Sequence, residues 1–431
     1  MNPRVTAILK DLAGYRAEVG EALDKIQAGI WEISQMVPAQ EEEPETIPAQ
    51  PEQPATVHNA VLTGAMGIEM VASKISAAER GTVFQCLGTL PTIRIGGLAG
   101  VKPGKHNQVA HHADGSPIED ITFKGDTGSL MPGEPGDYAA TLTGLLFHNS
   151  LGGFNNVFFE LLRMRPRMDG DRAVVLCEEN FHEDKHQGGL FGIDDCYLYA
   201  PEDYNSFDGY GMKQLIVPRS CRFDISGITA TPPREHGLIY GHNIRGDSFL
   251  SNSRVLTRVI NGIEVGPGRS LVQFQERRKD GLPSFGTISV DTISGELCGS
   301  EGVLAGNTAT GAAALTVGGH NGIVKFSNID LRDQLTAVIS NWVETEKDGS
   351  NKGYRDPSIT RVEYRNITWN EHNHPKQSPR VKVKISGAES VYARNVGPYG
   401  SPIVNPWDSP HVKMNDDPST DPLTPARVDW R

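Results

Sequence analysis

The stretch GIVKFSNIDL (322–331) limits what this chain can fold into more than any other feature. Val324 and Phe326 alternate, as in a strand with one buried face. Asn328 then takes the next inward position, and the apolar series restarts out of phase at Ile329 and Leu331. The same punctuation recurs. It closes LLFHN at Asn149, LIYGHN at Asn243, FLSN at Asn252, VLAGN at Asn307, AVISN at Asn341, VEYRN at Asn366 and VYARN at Asn395. Asn is one of the few non-glycine residues that enter the left-handed αL region cheaply. One αL residue between two short strands bends the chain and resets its inward direction. Recurrence predicts that successive bends stack, with the asparagine amides bonded along the stack. The intervals are uneven, 38 residues from Asn328 to Asn366 and 29 from Asn366 to Asn395, as loops of variable length between coils would make them.

Composition agrees with a turn-rich β architecture. Of 431 residues, 47 are Gly and 28 are Pro, and 38% are hydrophobic, enough for a large core. A net charge of −12 without clustered Lys and Arg argues against a nucleic-acid partner. No run of 18 apolar residues predicts membrane insertion. The N-terminus lacks the apolar core of a secretory signal, so synthesis and folding in a cytoplasm are expected. Cys86, Cys177, Cys196, Cys221 and Cys298 are scattered without a CxxC pair and read as free, buried thiols.

The expected organisation has five parts. In residues 1–37, Val5, Ile8, Leu12, Tyr15, Val19, Ala22, Ile26, Gly29, Ile33 and Met36 follow heptad spacing, which predicts an α-helix for oligomerisation or attachment. The two readings are a short parallel homotrimer and a helix that docks on a partner surface. Residues 38–56 hold five prolines and five glutamates and form a solvated linker. Residues 57–92 are a cap region with a short helix within 66–80. Residues 93–397 carry the strands, and 398–431 are a Pro-rich tail expected to be irregular.

On the residues of the asparagine series, the chain resembles the right-handed parallel β-helix of the pectate-lyase-like superfamily. An all-β fold with three short sheets per turn is what the resemblance implies, and a β-sandwich or jelly roll is the competing architecture. The superfamily includes bacteriophage tailspikes and other virion fibres. A helical segment, a spacer and a β body resemble that branch. The implied protein is a homotrimeric virion fibre or spike, anchored to capsid or tail proteins through residues 1–37 and displaying its body to a host polysaccharide. A polysaccharide depolymerase and a purely structural decoration protein are the alternatives.

Candidate chemistry centres on GIDDCYLYAP (192–201), which resembles the GDDC segment of polygalacturonase-type hydrolases. Glycosidic cleavage needs two carboxylates, one protonating the leaving oxygen and one activating water, and Asp194 and Asp195 are the matching positions. The other segments of that family are missing, and His242 fits its third motif only loosely. Strand alternation predicts that only one of the two aspartates faces a given groove. The bland alternative is a polar turn before CYLYA. NFHEDKHQGG (180–189), His111–His112 and NEHNHP (370–375) read as solvated loops rather than metal sets. RMRPRMDGDR (163–172) has residue types suited to a lyase without a defensible spacing, and YNSFDGYG (204–211) and GYRDP (353–357) are candidate sugar-binding loops. No cofactor or metal is expected.

Overall fold

Short strands that alternate inward and outward residues cannot bury their apolar face alone. In this chain they do so by stacking on the preceding coil. The computed structural model describes residues 58–96, 110–128, 136–148, 154–166, 173–178, 189–199, 213–217, 221–260, 262–276, 284–300, 313–341, 359–371, 383–385, 388–400, 412–414 and 427–430. The heptad segment and the linker lie outside them, as do Asn149 and Asn307.

Each coil has a first face, a corner, a second face and a third face. In one coil these are Phe154–Glu160, then Arg163–Arg165, then Ala173–Glu178. The next coil places Leu190–Asp194, Tyr197–Leu198 and Lys213–Val217 beside them, and all three pairings are parallel. Later coils run first and second faces together as one bent strand, such as Ile323–Gln334 and Ile359–Glu371. The third face is a ten-stranded sheet among the described residues, and each of its pairings is parallel. The body is therefore an all-β, parallel, coil-on-coil fold compatible with a β-helix. One short antiparallel hairpin, Arg258–Ile260 with Ile263–Val265, is inserted between two faces of a coil.

The corners explain the change of parity in GIVKFSNIDL. Leu161, Asp195, Gly227, Asn252, Thr292, Asn328, Asn366 and Asn395 all have positive φ, between 46° and 65°. The ladder register carries each onto the next, since the residues just before them pair as Glu160 with Asp194, Asp194 with Ser226, Ser226 with Ser251, and onward to Arg394. At each corner two consecutive residues point outward between two inward ones. Phe326 and Ile329 are buried while Ser327 is half-buried and Asn328 exposed. An αL residue takes up the extra position that strict alternation has no place for. Spacing along the column runs from 25 residues (Gly227 to Asn252) to 40 (Asn252 to Thr292), and the hairpin lies within the longest interval.

The amides bond along the stack where Asn repeats. Asn395 Nδ2 donates to Asn366 Oδ1 at 3.0 Å, and Asn366 Nδ2 to Asn328 Oδ1 at 2.8 Å. Thr292 has no amide to continue the chain, so Asn328 Nδ2 donates instead to Asp291 Oδ1 at 2.8 Å. A second short ladder joins Asn370 to Asp333, and a third joins Asn156 to Asp120. Burial acts to raise the Asp291 carboxyl. Hydrogen bonds from Ser327, Thr292 and Asn328 outweigh it and hold the group below the usual aspartate range.

Inside, the ladder stacks apolar side chains on apolar ones, and in places ring on ring. Phe84, Phe123 and Phe159 pile face to face at 5.1 and 4.7 Å, and Phe326 lies on Tyr364 at 5.5 Å. Such pairs add roughly 0.5–1.5 kcal/mol beyond area burial. Cys86, Cys196, Cys221 and Cys298 are free and buried, and burial pushes the Cys86 thiol up to about 12.

Three expectations are corrected. Asn341 does not belong to the corner column: it is the last residue of the third-face strand Ile339–Asn341, buried, and accepts a hydrogen bond from Tyr364 Oη. A buried hydroxyl needed an acceptor there, and Asn341 supplies it. Asn243 does take positive φ, 46°, but it follows the third-face strand Ile239–His242 and stands outside the main column. The stack also exceeds residues 93–397. His58–Thr63 and Thr82–Leu90 pair on the first face, and Val412–Met414 and Arg427–Trp430 continue the ladders at the other end. Strands of three or four residues between prolines form because the preceding coil supplies a complete hydrogen-bonding edge. The expected short helix is Ile68–Ser76, whose Val71 and Ile75 join the core beside the first third-face strand, Ile93–Ile95. No described helix is long and apolar enough to cross a membrane.

Two outcomes test this account. Asn366→Ala, measured by urea unfolding, costs about 2 kcal/mol by combining αL strain with the loss of two amide bonds, and Asn366→Gly costs about half as much. Asp291 is a carboxylate with a depressed folded value. Its contribution is complete above the unfolded value of about 4 and fades as pH falls through the lower folded value. The stability gap between wild type and Asp291→Asn is therefore widest above about pH 5 and narrows as pH falls below the unfolded value of about 4, as acid titrations followed by circular dichroism will record.

Candidate functional site

Asp194 and Asp195 sit at a corner, and this changes what they can do. Ile193 and Cys196 point inward and are fully buried, so both aspartates stand on the outside. The expectation that only one faces a groove is overturned, because Asp195 is itself the αL residue, at φ 46°. The bland reading, a polar turn before CYLYA, describes the same geometry.

Each carboxylate is held from the neighbouring coil. Ser226, the ladder partner of Asp194, donates its hydroxyl to Asp194 Oδ1. Gly227 follows it, at φ 65° in the corner column, and a Cβ there would collide with Oδ1 of Asp195. Glycine instead of asparagine at this corner makes room for the Asp195 carboxylate to lie across it. On the other side Glu160 pairs with Asp194 in the ladder and binds Lys124 Nζ at 2.9 Å.

Burial first, then the negative charges of Asp194 and Glu160, raise the Asp195 carboxyl above the ordinary aspartate value. A carboxyl so raised is suited to hold and give up a proton. Asp194, fixed by Ser226, is placed as an acceptor. These are the two roles glycosidic cleavage divides between carboxyl groups.

Aromatic rings flank the corner on both faces. On the second face Tyr197, the residue after Cys196, is buried, stacked 6.0 Å from Tyr138 and tilted at 6.5 Å from Tyr199. The Arg163 guanidinium lies over the Tyr199 ring at 4.8 Å. Tyr138 is buried and its hydroxyl has no hydrogen-bond partner; burial and the nearby Cys196, Asp195 and Asp137 raise it far above the ordinary tyrosine value. On the first face Phe158 lies across Gly192, and Phe249 is exposed two coils beyond Gly192.

The remaining sequence candidates do not converge here. His242 is buried on the third face, paired with Gln275 and edge-on to Tyr240 at 4.4 Å. His111 and His112 bond backbone carbonyls, His112 Nδ1 meeting Ser76 O at 3.2 Å. Arg163 and Arg165 are on the second face, where Arg165 Nε donates to Thr143 Oγ1 at 3.2 Å. His182, Glu183, Asp184, His186 and the loops at 204–211 and 353–357 lie outside the described residues. No set of three or more metal-ligating side chains occurs among the described residues.

Glu160, Ser226, Gly227, Tyr138 and Phe249 were not singled out from the sequence. Aligning ISGI (225–228) under IDDC (193–196) would have found Ser226 and Gly227, since both share the order apolar, polar, corner, apolar. Tyr138 and Phe249 carry no such signal. Comparison with protein-family models, with curated proteins and with solved structures found no match.

Proposed function

We propose that this protein is a virion fibre or spike whose stacked β body presents a host-surface glycan-binding strip, with residues 1–37 joining three copies and attaching them to capsid or tail proteins. The observation that carries the reading is the outer corner strip, where the outward pair Asp194–Asp195 stands between the half-buried Tyr199 on one face, backed by the buried Tyr138 and Tyr197, and Phe158 and Phe249 on the other. Rings that stack on a sugar face beside carboxylates that accept from its hydroxyls are the usual means of holding a neutral glycan. A parallel ladder also makes a stiff body, suited to displaying a surface at a distance from its anchor. The heptad seam and the Pro/Glu linker supply a sequence basis for attachment. The right-handed sense of the coil belongs to the same reading, since parallel strands joined by a crossover are almost always right-handed.

One observation favours a second reading, a polysaccharide depolymerase: the raised carboxyl of Asp195 beside Asp194. Incubation of the purified full chain with host surface polysaccharide separates the two. The fibre reading expects retention of polysaccharide without release of oligosaccharides. Release that disappears in both Asp194→Asn and Asp195→Asn assigns the enzyme instead. For assembly, sedimentation of the full chain is expected to give a trimer, and Leu12→Pro with Ile26→Pro a monomer of unchanged β content. A monomeric wild type overturns the trimeric anchor.

A further inference from the structure

The first face carries a feature that the corner does not explain. Its outward column reads Phe158, Gly192, Asp224, Phe249 across four successive coils. Cδ1 and Cε1 of the Phe158 ring lie over Gly192, where any Cβ would collide with them, so the column requires a residue without a side chain at 192. Asp224 is exposed, and Phe249, at 48% exposure, is among the most open large apolar side chains of the described residues. The rings stand three coil spacings apart, about 14 Å along the stack. The neighbouring outward column on the same coils is Glu160, Asp194, Ser226, Ser251, so acceptors and hydroxyls run beside the rings for the whole length. Neither column has a basic residue in these coils. Arg222 stands at the rim, two positions before Asp224, and Lys124 is engaged by Glu160.

We propose that the strip from Phe158 to Phe249 is a stacking platform for a neutral oligosaccharide laid along the coil axis, with its ring faces on Phe158 and Phe249 and its hydroxyls donating to Asp224 and Asp194. The inference rests on the glycan-binding reading above and narrows it in two respects, the place and the charge of the ligand. Charge decides the class. An acidic polymer would meet Asp224, Asp194 and Asp195, while the two columns themselves offer no basic residue in these coils, and like charges brought together on a partly desolvated surface are disfavoured. A flat aromatic surface flanked by acceptors suits a ligand with apolar ring faces and hydroxyl edges. The same exposed rings could serve contact with a second copy of the chain, and the test resolves that.

The full-length protein is applied to an array of bacterial surface oligosaccharides, neutral and uronate-bearing, together with Phe249→Ala and Asp224→Ala. Binding is expected among the neutral members, weakened about tenfold or more in Phe249→Ala and several-fold in Asp224→Ala. Because both side chains are exposed, melting temperatures stay at the wild-type value, which separates lost contact from lost fold. Sedimentation of Phe249→Ala is expected to match wild type. Preference for uronate-bearing members, or neutral-glycan binding unchanged in both variants, overturns the platform and leaves the glycan-binding reading standing. A changed oligomeric state in Phe249→Ala with unchanged glycan binding identifies a second copy as the occupant and overturns it as well. Binding to no member of the array overturns both readings.

Discussion

Everything on this body follows from the parallel backbone ladder between coils. Each coil bonds in register to the coil before it, so along the corner column a residue is carried onto one some 25 to 40 positions earlier in the chain. Like residues then fall into columns. Inward columns become stacks of rings, as at Phe84, Phe123 and Phe159, and the corner column becomes a line of αL residues joined by amides. The hydrogen bonds of the ladder fix spacing near 4.8 Å, which is also close to what an amide needs to reach the next.

The corner does more than turn the chain. By taking one extra outward residue, it places two side chains side by side on the surface in every coil. Where those are Ser and Asn the pair is scaffold. Where they are Asp194 and Asp195 the same geometry sets two carboxylates together, with Gly227 vacating space below one and Ser226 binding the other. Burial raises Asp195, and the charge of Asp194 set beside it by that adjacency raises it further. Scaffold and candidate site are thus one structural device with different residues in it.

Strain marks where the column departs from its own rule. Leu161 and Thr292 adopt the corner conformation at φ 53° and 52°, although neither leucine nor a β-branched residue favours it. Their coils hold Glu160 and Asp291, so the two strained corners each adjoin a carboxylate of the outer column. At Thr292 the missing amide redirects Asn328 to Asp291, whose carboxyl is held below the usual aspartate range by the three side-chain hydrogen bonds it accepts, against the opposing effect of burial. The ladder tolerates such corners because neighbouring coils, bonded on both sides, hold the backbone in place.

The sequence by itself determined the corner and its meaning. Asn at the end of an apolar alternation, followed by an immediate apolar restart, is a local signal, because αL tolerance belongs to the residue and not to its neighbours. Asn328, Asn366 and Asn395 were legible for that reason. Asn341 was misread because the same local pattern also fits an asparagine that serves as a buried acceptor. Asp195, Thr292 and Leu161 were illegible as corners, since their residue types do not announce a positive φ, and only ladder register places them. Tertiary structure alone decided which residues meet across coils: Ser226 with Asp194, Gly227 with Asp195, Phe158 with Gly192, and Phe249 in line with them. Those meetings depend on how many residues each intervening loop contains, and loop length is free to vary while the backbone hydrogen bonds that set the register are not.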